Sequence, residues 1–152
     1  MIPSDENVTT PHSEDSMWKK FDISTDSREI GGKPIQVVRV DGYLDSSTFP
    51  QLQERLSGLI GQRNYRFIVD LRHLNYISSA GLGVLMGMLQ EVREHNGDLK
   101  IANMSDKIRN LFDMLGFSRL VRIHGTIEEA LEAFGREMSE SGKGGEPPED
   151  SY

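Results

Sequence analysis

Hydrophobic positions along this chain fall into two alternating rhythms. Residues 67–71, Phe-Ile-Val-Asp-Leu, form a compact apolar run, the pattern of a strand covered on both faces or lying at the centre of a sheet. Farther on, Leu82, Leu85, Met86, Leu89 and Val92 recur at helical spacing, and Val84 and Met88 widen the stripe nearly all round. Such a helix is well buried or supplies a partner surface, and its methionines suit an adaptable contact as well as core filling. Between the two lies a short polar connection that ends in Ser78, Ser79, Gly81 and Gly83. The pattern predicts a buried strand, a loop, a Ser-bearing turn and a buried helix.

The flanking segments repeat the theme. Residues 18–23 alternate partly, with Phe21 and Ile23 on one face, and predict an edge strand. Residues 35–40 are rich in β-branched side chains and predict a second strand, paired as a hairpin across the Gly31-Gly32-Lys33-Pro34 break. A capping cluster, Asp45-Ser46-Ser47-Thr48, precedes Phe49, Leu52, Leu56, Leu59 and Ile60 at helical spacing, with Pro50 in the first turn and Gly61 as a stop. Asn96-Gly97 ends the central helix, and residues 99–102 predict a strand. Ser105 or Asp106 caps a helix running to about Leu115, and Gly116 fits a left-handed stop with Phe112 and Phe117 in contact. Residues 120–123 predict a last strand. A capping box, Thr126 to Glu129, opens a final helix carrying Ala130, Leu131 and Phe134, with Gly135 a candidate terminator and the end near Met138.

The order β-β-α-β-α-β-α-β-α predicts an α/β fold: a single domain with a mixed, mostly parallel sheet of about five strands and about four helices. Ligands and partners of such sheets gather beyond the carboxyl ends of the strands. The Asp45 loop and the serine pair both follow strands and are expected at that same end.

Composition sharpens the domain limits. The chain has 152 residues, enough for one domain, and 36% apolar residues. Residues 1–16 are nearly devoid of long apolar side chains, and residues 138–152 are rich in Ser, Gly, Pro and Glu. Both read as disordered tails flanking a domain over residues 17–137. The net charge of −7 resides in those tails: Asp5, Glu6, Glu14 and Asp15 contribute −4, and Glu140, Glu146, Glu149 and Asp150 with Lys143 contribute −3. The near-neutral middle argues against direct nucleic-acid binding, which needs a clustered basic face. There is no Cys, which removes disulfides and thiolate chemistry. No apolar run reaches membrane-spanning length, and the N-terminus lacks the basic and apolar regions of a signal peptide. A soluble cytoplasmic protein is expected.

Candidate chemistry is sparse. His12, His73, His95 and His124 are scattered without ligand spacing, so no metal site is expected. Gly81, Gly83 and Gly87 follow a GxGxxxG spacing that does not match a dinucleotide loop, and no Lys-bearing phosphate loop occurs. These glycines are read as permitting close packing of helix against sheet. Neither a nucleophile elbow nor a base paired to Ser79 is evident, and Asp45 and Asp70 form no carboxylate pair by spacing. Asp70 reads as a turn or sheet-edge residue. No catalytic residue and no cofactor are expected. A serine at a helix start is either a cap or a place where a phosphoryl group can be held by free N–H groups and the helix dipole.

The segment FIVDLRHLNYISSAGLGVLMGMLQEV resembles the signature of STAS domains, most closely the bacterial anti-sigma factor antagonists. VDGYLDSSTFPQLQERL, LKIANMSDKIRNLFDMLGFSRL and IHGTIEEALEAF also fit, so the resemblance covers about residues 21–134. It implies a protein that, when unphosphorylated, binds an ATP-dependent anti-sigma factor serine kinase and frees its sigma factor. Phosphorylation of a serine at the start of the central helix ends capture, and a PP2C-type phosphatase resets it. The usual motif is Asp-Ser-Ser/Thr-Gly-Leu-Gly. Aligning Gly81-Leu82-Gly83 places the modified residue at Ser79, with Ser78 in the acidic position as the alternative and Ala80 in the second hydroxyl position. The resemblance further implies a partner surface of Asp45, Ser46, Ser78, Ser79, Ala80, Gly81, Leu82, Gly83 and Met86, on a protein that is free as a monomer or weak dimer. A STAS adaptor beside a transporter or within a sensory complex is the alternative role.

Overall fold

Strand β1, Phe21–Ile30, turns through Gly31 and Gly32 and returns as the long strand β2, Lys33–Leu44. Both glycines have positive φ, 59° and 79°, as a two-residue hairpin turn requires. The computed structural model describes residues 21–144; the expected start of the first strand at residue 18 and most of both tails fall outside them. The chain continues as α1 (Phe49–Gly61), β3 (Arg66–Asp70), β4 (Leu74–Ile77), α2 (Ser79–Glu94), β5 (Asp98–Ala102), α3 (Asp106–Met114), a 3-10 turn (Phe117–Arg119), β6 (Arg122–His124) and α4 (Ile127–Gly144).

Among the described residues the sheet has six strands, in the order β1-β2-β3-β5-β6, with β4 off this path and also paired to β2. β1 and β2 are antiparallel, and the remaining pairs are parallel. Alternation along the strands builds a core on each face. Val38, Val40, Phe67, Val69, Leu99 and Ile101 pack with the apolar sides of α1, α2 and α3. Ile35, Val37, Ile68 and Ala102 pack with Ile127, Ala130 and Phe134 of α4. β3 is covered on both sides, which explains its unbroken apolar run.

The structure corrects several expected boundaries. β1 extends through polar residues to Ile30 because every residue from Phe21 to Ile30 finds a partner on β2; beyond Ile23 this edge stretch has no apolar alternation to reveal it. The left-handed stop after α1 is Arg63, φ 70°, rather than Gly61. Gly116 is left-handed as expected, φ 79°, but residues 117–119 form a 3-10 turn and the last strand begins at Arg122. α4 passes through Gly135 and Met138 to Gly144. Two contacts hold it beyond Gly135: Met138 packs with Ile30 against the second core, and Glu137 Oε2 accepts from Lys100 Nζ at 2.7 Å. Lys100 is fully buried, bonds Asp98 Oδ2 at 3.2 Å, and sits 4.7 Å over the Phe134 ring. A buried ammonium without such partners would be strongly unfavourable.

Two tests follow from these packing details. A Cβ on Gly97 would lie 1.8 Å from the Tyr65 carbonyl oxygen, and backbone cannot yield as a side chain can. Gly97→Ala is therefore expected to lower unfolding free energy in urea by at least about 2 kcal/mol; an unchanged midpoint would show that the β3 and β5 ends are looser than described. His124 Nε2 is buried with no hydrogen-bond partner among the described residues, and burial, then Lys100, hold its imidazole below its ordinary pKa. The unfolded imidazole thus takes a proton at a higher pH than the folded one. The His124 contribution is full above its unfolded pKa of about 6.5 and falls as pH drops through the window below. His124→Gln is expected to flatten the stability loss between about pH 7 and pH 5.

Candidate functional site

β2 outruns β3. β3 pairs with residues 36–39 of β2, which leaves the far end of that edge open. After residues 71–73 the chain takes the edge again as β4, with Gly42 opposite Leu74, Tyr43 opposite Tyr76 and Leu44 opposite Ile77, across one irregularity in register. The next backbone N–H, that of Ser78, donates to the Leu44 carbonyl at 2.9 Å. The start of α2 is thereby fixed beside the 45–48 loop, at the carboxyl end of the sheet, as the order of elements predicts.

The two serines then diverge. Ser78 is the N-cap, with extended backbone, and its Oγ accepts from the Gly81 N–H at 3.2 Å. Ser79 is the first helical residue and is exposed; its hydroxyl makes no hydrogen bond among the described residues. Gly81 permits the close seat of this turn: a Cβ there would lie 2.7 Å from Leu44 Cγ and 3.0 Å from the Leu44 oxygen. Leu82 is fully buried, Ala80 and Met86 are half-buried, and Gly83 and Gly87 are exposed.

Gly83 and Gly87 overturn part of the sequence reading. A Cβ at either would meet nothing within 4 Å, so neither allows helix-on-sheet packing; that role is Gly81's. A glycine inside a helix costs about 1 kcal/mol relative to alanine, and nothing within the fold demands it at these two places. Ser79, Gly83 and Gly87 lie four residues apart on one bare, solvent-facing stripe. Beyond it, Met86, Leu89, Gln90, Arg93, Glu94 and Leu120 line an open groove of about 460 Å³. Periodicity marks the buried side of this helix and carries no signal for the bare one.

The 45–48 cluster builds its loop instead of capping α1. Asp45 Oδ1 accepts from the Ser47 N–H at 2.9 Å and the Ser47 hydroxyl at 2.7 Å. Thr48 Oγ1 donates to the Tyr43 carbonyl at 2.6 Å and accepts from the Asp45 N–H at 2.9 Å. Thr48 occupies the N-cap position without a side-chain capping bond, and Ser46 is exposed. Asp70 ends the central strand β3 and so does not lie at the sheet edge, while the turn reading holds, since its side chain accepts the N–H two residues on. It is 5% exposed, and its carboxylate accepts from Arg39 Nε at 3.2 Å, the Arg72 N–H at 3.0 Å and Asn103 Nδ2 at 2.9 Å. Among the described residues no group of three or more His, Asp or Glu could hold a metal ion, and no helix is long and apolar enough to cross a membrane.

Residues 28–130 match the STAS domain family. The chain belongs to that family. Among its relatives is an anti-sigma-B factor antagonist of Staphylococcus aureus, 32% identical over 87 residues that cover 57% of this chain and 81% of the relative. This places the chain with the antagonists of the STAS family. A solved anti-sigma factor antagonist from Mycobacterium paratuberculosis superimposes with a TM-score of 0.63 at 21% identity, covering 74% of this chain and 93% of that one. The antagonist SpoIIAA in its unphosphorylated form gives a TM-score of 0.61 at 23% identity, covering 73% and 96% of the two chains. The phosphorylated form of SpoIIAA, from Bacillus, gives 0.56 at 23% identity, covering 73% and 99%. These structural likenesses establish the shared STAS fold.

The division between the serines is measurable. Ser78→Ala removes the cap and is expected to cost about 1 kcal/mol of stability. Ser79→Ala removes an exposed, unpartnered hydroxyl and is expected to change stability by less than about 0.5 kcal/mol. Equal losses in urea unfolding, or a larger loss at Ser79, would contradict the assignment.

Proposed function

We propose that this chain is a phosphorylation-controlled anti-sigma factor antagonist. Unmodified, it captures an ATP-dependent anti-sigma factor serine kinase, which releases its sigma factor; phosphorylated at Ser79, it lets the kinase go. A PP2C-type phosphatase restores the capturing form. The protein acts by binding and not by catalysis, in the cytoplasm, and is free as a monomer or weak dimer. The observation that carries this reading is the exposed, unengaged Ser79 hydroxyl at the head of a bare helix stripe. The antagonist relatives support the role, and SpoIIAA has been solved both with and without its phosphate.

The partner contacts proposed are Ser46, Ser79, Ala80, Gly83 and Met86, framed by the Asp45 loop. Gly81 and Leu82 support them from beneath, and Ser78 holds the turn. The bare stripe lets a partner backbone approach α2 closely. A phosphoryl group on Ser79 adds about −1.5 to −2 charges and three acceptor oxygens. The free N–H groups and dipole of the helix start stabilise it in the unbound protein, while burying it in an interface is unfavourable. A penalty of about 3 kcal/mol weakens capture more than a hundredfold, with no change of shape.

Two binding measurements by calorimetry against the cognate kinase test this. Ser79→Asp, or the phosphorylated protein, is expected to bind at least about a hundredfold more weakly than the unmodified chain; retained affinity would contradict the switch. Gly83→Gln is expected to weaken capture at least about tenfold while holding or slightly raising stability, since a helix prefers Gln to Gly by several tenths of a kcal/mol. Unaltered binding by that variant would remove the glycine stripe from the interface.

A further inference from the structure

We propose a second site, on the sheet face opposite α2, that binds a phosphoryl group carried by a small molecule. α4 lies over β3, β5 and β6 and leaves a cavity of about 390 Å³ near the carboxyl ends of the strands, lined by Arg28, Arg39, Arg72, Asn103, Thr126 and Glu128, among others. That volume lies within the span of small-ligand pockets, roughly 300–1,000 Å³.

Three guanidinium groups from three separate segments face this cavity with donors unspent. Arg28 donates through Nε to Asp26 Oδ2 at 3.0 Å, and Arg39 through Nε to Asp70 Oδ2 at 3.2 Å. The terminal nitrogens of both have no acceptor among the described residues. Arg72 Nη2 reaches the side-chain oxygen of Asn103 at 3.4 Å, and no carboxylate among the described residues pairs with its guanidinium. Asp70, the buried acid beside them, already has its oxygens engaged by Arg39, Arg72 and Asn103.

The start of α4 adds backbone donors. Thr126 Oγ1 accepts from the Glu129 N–H at 3.0 Å, which leaves the first two N–H groups, those of Ile127 and Glu128, without an intrahelical acceptor. Guanidinium forks match the oxygens of a phosphoryl group in pairs, and a helix start favours the same charge. The carboxylates of Asp26, Asp70 and Glu128 offset the formal charge of the three arginines. Recognition therefore rests on directed donors and not on net charge, which selects an oxyanion with several acceptors over a halide. The site is independent of Ser79: it lies on the other face of the sheet and shares no residue with the bare stripe of α2.

The test is a titration of the ¹⁵N-labelled full chain with sodium pyrophosphate, set against sodium chloride at matched ionic strength. Saturable shifts of the Arg72, Ile127 and Glu128 amides with pyrophosphate, and not with chloride, are expected. Arg72→Gln and Arg28→Gln should each weaken binding at least about tenfold, as loss of a charge-assisted donor pair does, while Arg93→Gln on the far side leaves it unchanged. Both target side chains are at least partly exposed, so the variants should keep the dispersed spectrum of the folded chain; should one unfold, the other carries the test. Shifts that never saturate, that appear equally around Arg93, or that survive both substitutions would overturn the site.

Discussion

The hydrogen bond from the Ser78 N–H to the Leu44 carbonyl, 2.9 Å long, is the joint on which this structure depends. It exists because β2 is longer than the strand beside it. β3 ends at Asp70, and β4 takes over the exposed edge of β2 and runs alongside it to Leu44. The chain then has to turn sharply into α2, and the turn fits because Gly81 has no Cβ to meet Leu44. Strand length, edge pairing and one missing methyl together place a helix start beside the 45–48 loop.

That placement separates two neighbouring hydroxyls by their hydrogen bonding. Ser78 is spent on the cap, where its oxygen satisfies the Gly81 N–H. Ser79, one residue on, is exposed at the helix start, where backbone donors lie close by and no described residue bonds its oxygen. In the proposed switch, a charge added there acts on the docked partner more than on the fold. The glycines at positions 83 and 87 extend the same economy along α2. They forgo helix stability of about 1 kcal/mol each and leave a face that a second chain can approach to backbone distance.

Much of this was legible from residue patterns. The two-sided burial of residues 67–71, the hairpin across Gly31-Gly32, the left-handed Gly116 and the serine-bearing helix start follow from periodicity and turn chemistry. β4 did not, because four residues with a polar Asn75-Tyr76 centre are too few to show a period, and its pairing is set by the length of a strand thirty residues earlier. The polar stretch of β1 was hidden for a related reason: an edge strand held by backbone pairing needs no apolar alternation. Gly83 and Gly87 were visible as residues, yet their role depends on which side of α2 faces the sheet. The Arg28, Arg39 and Arg72 cavity was wholly illegible, since register and a helix crossing bring those three together from separate segments.

The position of the phosphate decides between a regulatory Ser79 and a passive one. The unmodified chain would be incubated with the anti-sigma factor kinase proposed as its partner and ATP, digested, and the modified residue placed by tandem mass spectrometry. A single phosphoryl group is expected on Ser79, with Ser78 unmodified because its oxygen is engaged in the cap. A phosphate on Ser78, or none on either serine under conditions where the kinase is active, would contradict it.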